Sequence, residues 1–292
     1  MRMQVAGAAL SGAAVLSALA LPVAAQAAEH PGAGAAAKLS AFGAKANSLA
    51  PQTVRPNDAL GSMKFSNAVI NGGKDIVLGT TTKTSVTVTY TATSSSGVAL
   101  TEAFLWQGTD SSSTDTITGG LGTTDDPDCV ESTTQTGTYR CTAVFPINAA
   151  TDLKKNGVAG TWKLFLGGYD LYANASYDDD VATTHIKKVS RLTLNATPEP
   201  VKKGKNITVT GKLTRANWND GTYASYTGQK VLLQYRPKTS DTYTTLKTVT
   251  SGTGGALKAI TVAKADGYYR FTFATNTSTA ASKSASDYVD VK

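Results

Sequence analysis

Three groups of residues in this chain have the types and spacing to do chemistry. Asp170, Asn174, Asp178, Asp179 and Asp180 gather oxygen donors within a short span, the ligand type that calcium takes in six- to eightfold coordination. Set against the helix-loop-helix calcium loop the span fails, because Tyr172 holds the third position, Ala175 replaces the required Gly and Val181 stands where a bidentate Glu belongs. These residues read as one loop after the Trp162 strand, and either a calcium site between strands or a solvated acidic loop fits them. Asp125, Asp126 and Asp128 make a second, sparser cluster. Calcium is thus the one cofactor the sequence points to, and a melting midpoint that rises when calcium is added is its signature.

The second group is Cys129 and Cys141, the only cysteines. Twelve residues apart in a turn-rich stretch, they are most simply a disulfide of an oxidising compartment. A zinc site would need more soft ligands, and a thiol nucleophile would need a base where the chain offers only His30 and His185. The third group is Lys230, Arg236, Tyr268 and Arg270. If their strands pair, cations and aromatic rings share one outer face, a surface for a polyanion or a glycan. Outward bases on strands also guard against edge pairing. For catalysis nothing is assembled. Nucleophile elbows, HExxH helices and phosphate loops are missing from the sequence, and histidine, the commonest general base, is scarce. No catalytic residue is assigned.

The elements that must position these groups are strands. In the last hundred residues Ile207, Val209, Gly211 and Leu213 share one parity while Thr208, Thr210, Lys212 and Thr214 share the other, so a strand there buries one face and wets the other. Val231, Leu233 and Tyr235 repeat this against Lys230, Gln234 and Arg236, as do Tyr269, Phe271 and Phe273 against Tyr268, Arg270 and Thr272. Upstream, residues 65–70 and 76–78 read as strands about the turn Asn71-Gly72-Gly73, and Val86, Val88 and Tyr90 alternate with threonines. Residues 98–106 read as another, with Val98, Leu100, Phe104 and Trp106 inward and Glu102 spoiling the parity, so that Glu102 needs a bulge or a partner. Residues 108–128 are Gly, Ser, Thr and Asp almost throughout and read as a long loop. A strand resumes through Cys141, a helical turn is expected within 148–156, and Trp162 and Tyr269 each follow a Gly by two and open a strand as core aromatics.

The chain has 292 residues with 28 basic and 21 acidic side chains. Residues 61–189 carry nine basic against thirteen acidic groups, residues 190–292 fifteen against six. An acidic module before a basic one suggests a polyanionic partner for the latter. Residues 1–27 read as a signal peptide: one Arg, an apolar run, the helix-breaking Pro22 and the small residues Ala25 and Ala27 before the cut. Residues 28–60 are too poor in apolar groups to offset ordering entropy and read as a disordered leader. No second apolar run follows, so no membrane span is expected in the mature chain. The expected protein is secreted and extracellular, all-β, with two tandem immunoglobulin-like β-sandwiches over 61–189 and 190–292. Almost nothing lies between them, which implies a stiff, elongated pair.

Asn195-Ala196-Thr197-Pro198-Glu199-Pro200-Val201-Lys202-Lys203-Gly204-Lys205, Thr208-Val209-Thr210-Gly211-Lys212-Leu213, Asp266-Gly267-Tyr268-Tyr269-Arg270 and Asp287-Tyr288-Val289-Asp290-Val291 resemble a family of secreted bacterial proteins with Ig-like domains. Asn71-Gly72-Gly73-Lys74 and Leu105-Trp106 are similar to its first domain. Members are commonly labelled calcium-binding, a label the resemblance implies here without assigning ligands. The expectation that follows is a noncatalytic binding module, calcium-binding and associated with the cell envelope, whose partner is a cell-wall polymer or extracellular glycan and not a specific nucleic acid. The competing expectation is a structural spacer or adhesion-type protein without a small-ligand site.

Overall fold

The computed structural model describes residues 63–111 and 115–292. The expected signal peptide and leader lie outside the described residues. The rest is two β-sandwiches. In the first, β1 (Lys64–Ile70), β3 (Lys83–Thr93), β7 (Thr138–Asn148) and β6 (Asp128–Glu131) form one sheet in the order β1-β3-β7-β6. The facing sheet has the order β2-β9-β8-β4-β5, from β2 (Ile76–Leu78), β9 (Ala175–Lys188), β8 (Gly160–Tyr169), β4 (Leu100–Gly108) and β5 (Ile117–Gly122). Alternate residues Val86, Val88, Tyr90 and Ala92 of β3 and Cys141, Ala143, Phe145 and Ile147 of β7 meet Leu105, Trp162, Leu164 and Ile186 across the core. Tyr90 is sealed in by a 2.7 Å hydrogen bond to Thr101, and burial pushes its hydroxyl up to about 12. A single helical turn, α1 (Ala149–Asp152), follows β7, with Asn148 accepting from the Ala150 N–H as its N-cap.

Cys129 and Cys141 are bonded, and they stand directly opposite each other in the β6–β7 register with Cα atoms 4.0 Å apart. The covalent link therefore pins the four-residue edge strand β6 to the centre of its sheet. In a chain-entropy account a loop of this size stabilises by about 3 kcal/mol.

Three expectations for this half are corrected. The stretch 108–128 is not one loop, because β5 forms inside it and pairs with β4. Gly119 permits this: a Cβ there would lie 2.7 Å from Cη2 of the fully buried Trp162. The parity of β4 is the reverse of that read from the sequence. Ala103 and Leu105 enter the main core, while Phe104 and Trp106 belong to a second apolar cluster on the opposite face with Ile117, Phe165 and Tyr169. Apolar side chains line both faces of this strand, so alternation alone could not say which face was central. Of the two alternatives for Glu102 the bulge is absent, since β4 pairs with β8 in unbroken register through it, and a partner is present. Lastly, residues 170–180 are not one loop. A tight turn occupies its start, and Asp178, Asp179 and Asp180 lie within β9.

In the second sandwich β10 (Ser190–Thr197) pairs with β11 (Asn206–Asn217), which also pairs with β12 (Thr222–Ser225) and β15 (Ala256–Val262). The opposing sheet runs β14 (Thr244–Thr250), β13 (Lys230–Pro237), β16 (Gly267–Phe273), with β17 (Ser282–Lys283) and β18 (Asp287–Val289) both on β16. Ile207, Val209, Leu213, Val231, Leu233, Tyr269 and Phe271 fill its core, as their shared parity requires. Tyr269 is buried as expected, and burial moves its hydroxyl up to about 12. The Tyr235 hydroxyl donates to the carbonyl oxygens of Ala265 and Asp266, just before β16.

Val189 alone separates β9 from β10, and its N–H donates to Leu78 O while its carbonyl accepts from Ala216 N. Trp218, just past β11, crosses into the first core and donates from Nε1 to Gly79 O at 2.9 Å. Asn156 receives Trp218 N and bonds the side chains of Asn217 and Asn219. Lys187 reaches from Asp75 at 2.7 Å to Thr275 at 3.0 Å, and Asp75 also contacts His185 at 3.3 Å. The Lys187 hydrogen bond holds the Asp75 carboxyl below its usual value, against the opposing effect of partial burial.

Candidate polyanion-binding face

On the β13–β16 pair every second side chain points away from the core. Antiparallel register sets Arg236 opposite Tyr268 and Gln234 opposite Arg270, so the sequence-predicted residues Arg236, Tyr268 and Arg270 come together on one outer face. Lys230 shares their parity but pairs with Thr250 at the other end of the strand, six residues or roughly 20 Å from Arg236. It does not join them.

Three further residues, Tyr243, Tyr288 and Lys238, complete the cluster. Tyr243, in the connection between β13 and β14, folds back so that the Arg270 guanidinium carbon lies 3.6 Å from its ring centroid and that of Arg236 5.5 Å away. Arg236 also sits 4.0 Å over Tyr268, whose ring meets Tyr288 at 5.2 Å, with Lys238 Nζ 5.5 Å from the Tyr288 ring. The result is a contact chain: Arg270, Tyr243, Arg236, Tyr268, Tyr288, Lys238. Arginine was legible on the strands; the tyrosine between the arginines was hidden in a turn, where side-chain direction has no period.

Four of the six members are fixed by side-chain hydrogen bonds. Arg236 donates to Ser240 O at 2.8 Å and Arg270 donates from Nε to Gln234 Oε1 at 2.9 Å. Tyr243 and Ser286 share a 2.6 Å hydroxyl hydrogen bond, and Tyr288 donates to Asp266. The Val291 N–H, foremost, together with the Tyr288 hydroxyl and the cations Lys238 and Lys292, holds the Asp266 carboxyl below its usual value. Among the described residues, no carboxylate forms an ion pair with Arg236 or Arg270. Two half-buried guanidiniums are thus held in place by neutral oxygens and ring faces, their charge left for something else.

The acidic group is arranged differently. Asp170 is 1% exposed, and its carboxylate accepts from the backbone N–H groups of Tyr172 and Asn174 and from the Asn174 side chain, all at 2.9 Å. It thereby closes the β8–β9 turn, which displays Leu171 and Tyr172 at its tip. Asp178 accepts from Asp180 N, Asp179 accepts from Ser111, and Asp180 pairs with Lys163 at 3.4 Å. Among the described residues no three His, Cys, Asp or Glu side chains converge as a metal-holding group.

No protein-family model matches the chain, and no curated protein does. Solved structures are similar in arrangement. The D00–D0 domain of intimin aligns with 76% of this chain and 98% of its own at 14% identity and a TM-score of 0.26. The Escherichia coli adhesin FdeC aligns with 79% of this chain at 15% identity and a TM-score of 0.33, and the chain spans 66% of it. Three N-terminal domains of the bacteriophage RB49 outer capsid protein Hoc align with 79% of this chain and 71% of their own at 11% identity and a TM-score of 0.32. At these scores nothing those proteins bind transfers to this one.

Proposed function

We propose that the chain is an extracellular, noncatalytic binding module whose second sandwich holds a linear polyanion, such as an anionic cell-wall polymer, along Arg270, Arg236 and Lys238. The observation that carries this reading is the stacked, ion-pair-free state of Arg236 and Arg270. Between the two partner classes expected from sequence, the geometry favours the anionic one. A neutral glycan stacks on open ring faces, whereas Tyr243 and Tyr268 each already carry a guanidinium at stacking distance. The N–H edges of those guanidiniums suit phosphate or carboxylate oxygens. The disulfide, and the charge of the module, fifteen basic against six acidic groups over 190–292, fit an oxidising compartment and an anionic partner.

Binding of a purified polyol-phosphate cell-wall polymer to the full chain tests this. With about three phosphates neutralised, affinity should fall about twentyfold to fortyfold between 50 and 200 mM salt, and Arg236→Gln/Arg270→Gln should abolish most of it at low salt. Retention that ignores salt, or that survives the double substitution, rules the reading out.

A further inference from the structure

We propose that Tyr243 is the positioning residue of this face, making Arg236 and Arg270 a single receptor for two neighbouring anionic groups of a phosphate chain. The inference rests on the polyanion reading above and adds the spacing that the site selects. Both guanidinium carbons lie within 5.5 Å of one ring centroid. Two like charges brought so close repel, and each long side chain has rotamer freedom to escape. Here three things prevent escape. The negative face of the Tyr243 ring attracts the guanidiniums. Gln234 and Ser240 each hold one of them by a hydrogen bond. Ser286 fixes the tyrosine hydroxyl, so the ring is itself located from the far side of the sheet by the segment preceding β18.

Two cations held 3.6 and 5.5 Å from one ring centroid meet adjacent phosphates of a chain together, whereas an isolated phosphate engages one at a time. Because the arginines are ordered before the ligand arrives, binding loses little side-chain entropy, and affinity gains accordingly. Tyr243 touches no ligand in this scheme. Its substitution should alter affinity while leaving charge untouched, which separates it from the arginines.

The probes are tripolyphosphate and orthophosphate, titrated calorimetrically into the full chain at matched ionic strength. Wild type should prefer tripolyphosphate by about tenfold or more, and Tyr243→Phe, which keeps the ring, should stay within about twofold of it. Tyr243→Leu should lose about tenfold in tripolyphosphate affinity and most of the preference, as expected from removing ring contacts to two cations, with its salt dependence unchanged because both charges remain. Loss in Arg236→Gln/Arg270→Gln with none in Tyr243→Leu overturns the role of Tyr243 and leaves the polyanion reading standing. Equal loss in Tyr243→Phe and Tyr243→Leu assigns the effect to the Ser286 tether and overturns it too. Failure of wild type to bind tripolyphosphate while it binds the cell-wall polymer overturns the paired receptor alone, and failure to bind the polymer as well overturns both readings together.

Discussion

Lys188 is 2% exposed at the junction of the two sandwiches, with its ammonium 5.3 Å from the Trp218 ring. Burial, and then the nearby Arg215 charge, bring its pKa from 10.5 down to about 8. The unfolded chain keeps this proton to about pH 10.5 and the folded chain only to about 8, so unfolding takes up a proton between those values. Stability should therefore rise with pH from about 8 to 10.5, and Lys188→Met should raise the midpoint below pH 8 and flatten that slope. Thermal melts at pH 7 and pH 10 check it; a wild type less stable at pH 10 than the variant by the same margin as at pH 7 would contradict the assignment. Nothing in the sequence marks this lysine as buried, since it follows Ile186 and Lys187 at the end of an alternating strand. Arg236, Tyr268 and Arg270 were legible because strand period fixes which side chains share a face. Tyr243 was not, because it depends on how a turn folds back over the sheet.

At the scale of elements, β5 shows why a glycine-rich stretch misleads. Its six residues carry Gly119, Gly120 and Gly122 and are flanked by Ser, Thr and Asp, a composition that reads as loop. The strand forms by pairing with β4, and glycine is needed at 119 because Trp162 fills the space a side chain there would take. Gly119→Ala should then destabilise by about 1–3 kcal/mol through overpacking against the indole, read as a lower denaturation midpoint at unchanged m-value. A midpoint within error of wild type would mean the indole shifts aside freely. In the second sandwich β11, β13 and β16 were legible, since one apolar face per strand leaves a single way to place it, whereas the mostly exposed β12 and β14 carry no such pattern. In the first, β4 and β8 contribute to two apolar clusters on opposite faces, and period two cannot rank two buried faces.

For the whole molecule, the junction is the feature that decides behaviour. Trp218 belongs by sequence to the basic half and by packing to the core of the acidic half. Removing it should cost about 3–5 kcal/mol and uncouple the two sandwiches. Calorimetry of Trp218→Ala should show two transitions where wild type shows one. A single, merely lowered transition in the variant would mean that the hydrogen bonds of Val189, Asn156 and Lys187 suffice for coupling. The sequence disclosed the short connection but not the tryptophan, whose destination lies more than a hundred residues upstream at Gly79.

Val189 has one consequence for how such a chain can change over time. Both of its peptide groups are committed, one to each neighbour, so a recombination breakpoint placed there would hand each descendant a half with torn edges: one missing its indole plug, the other exposing it. Exchange of modules would succeed only with a cut that carries residues up to 218 along with the first half, and that cut would take β10 and β11 away from the second and wreck it.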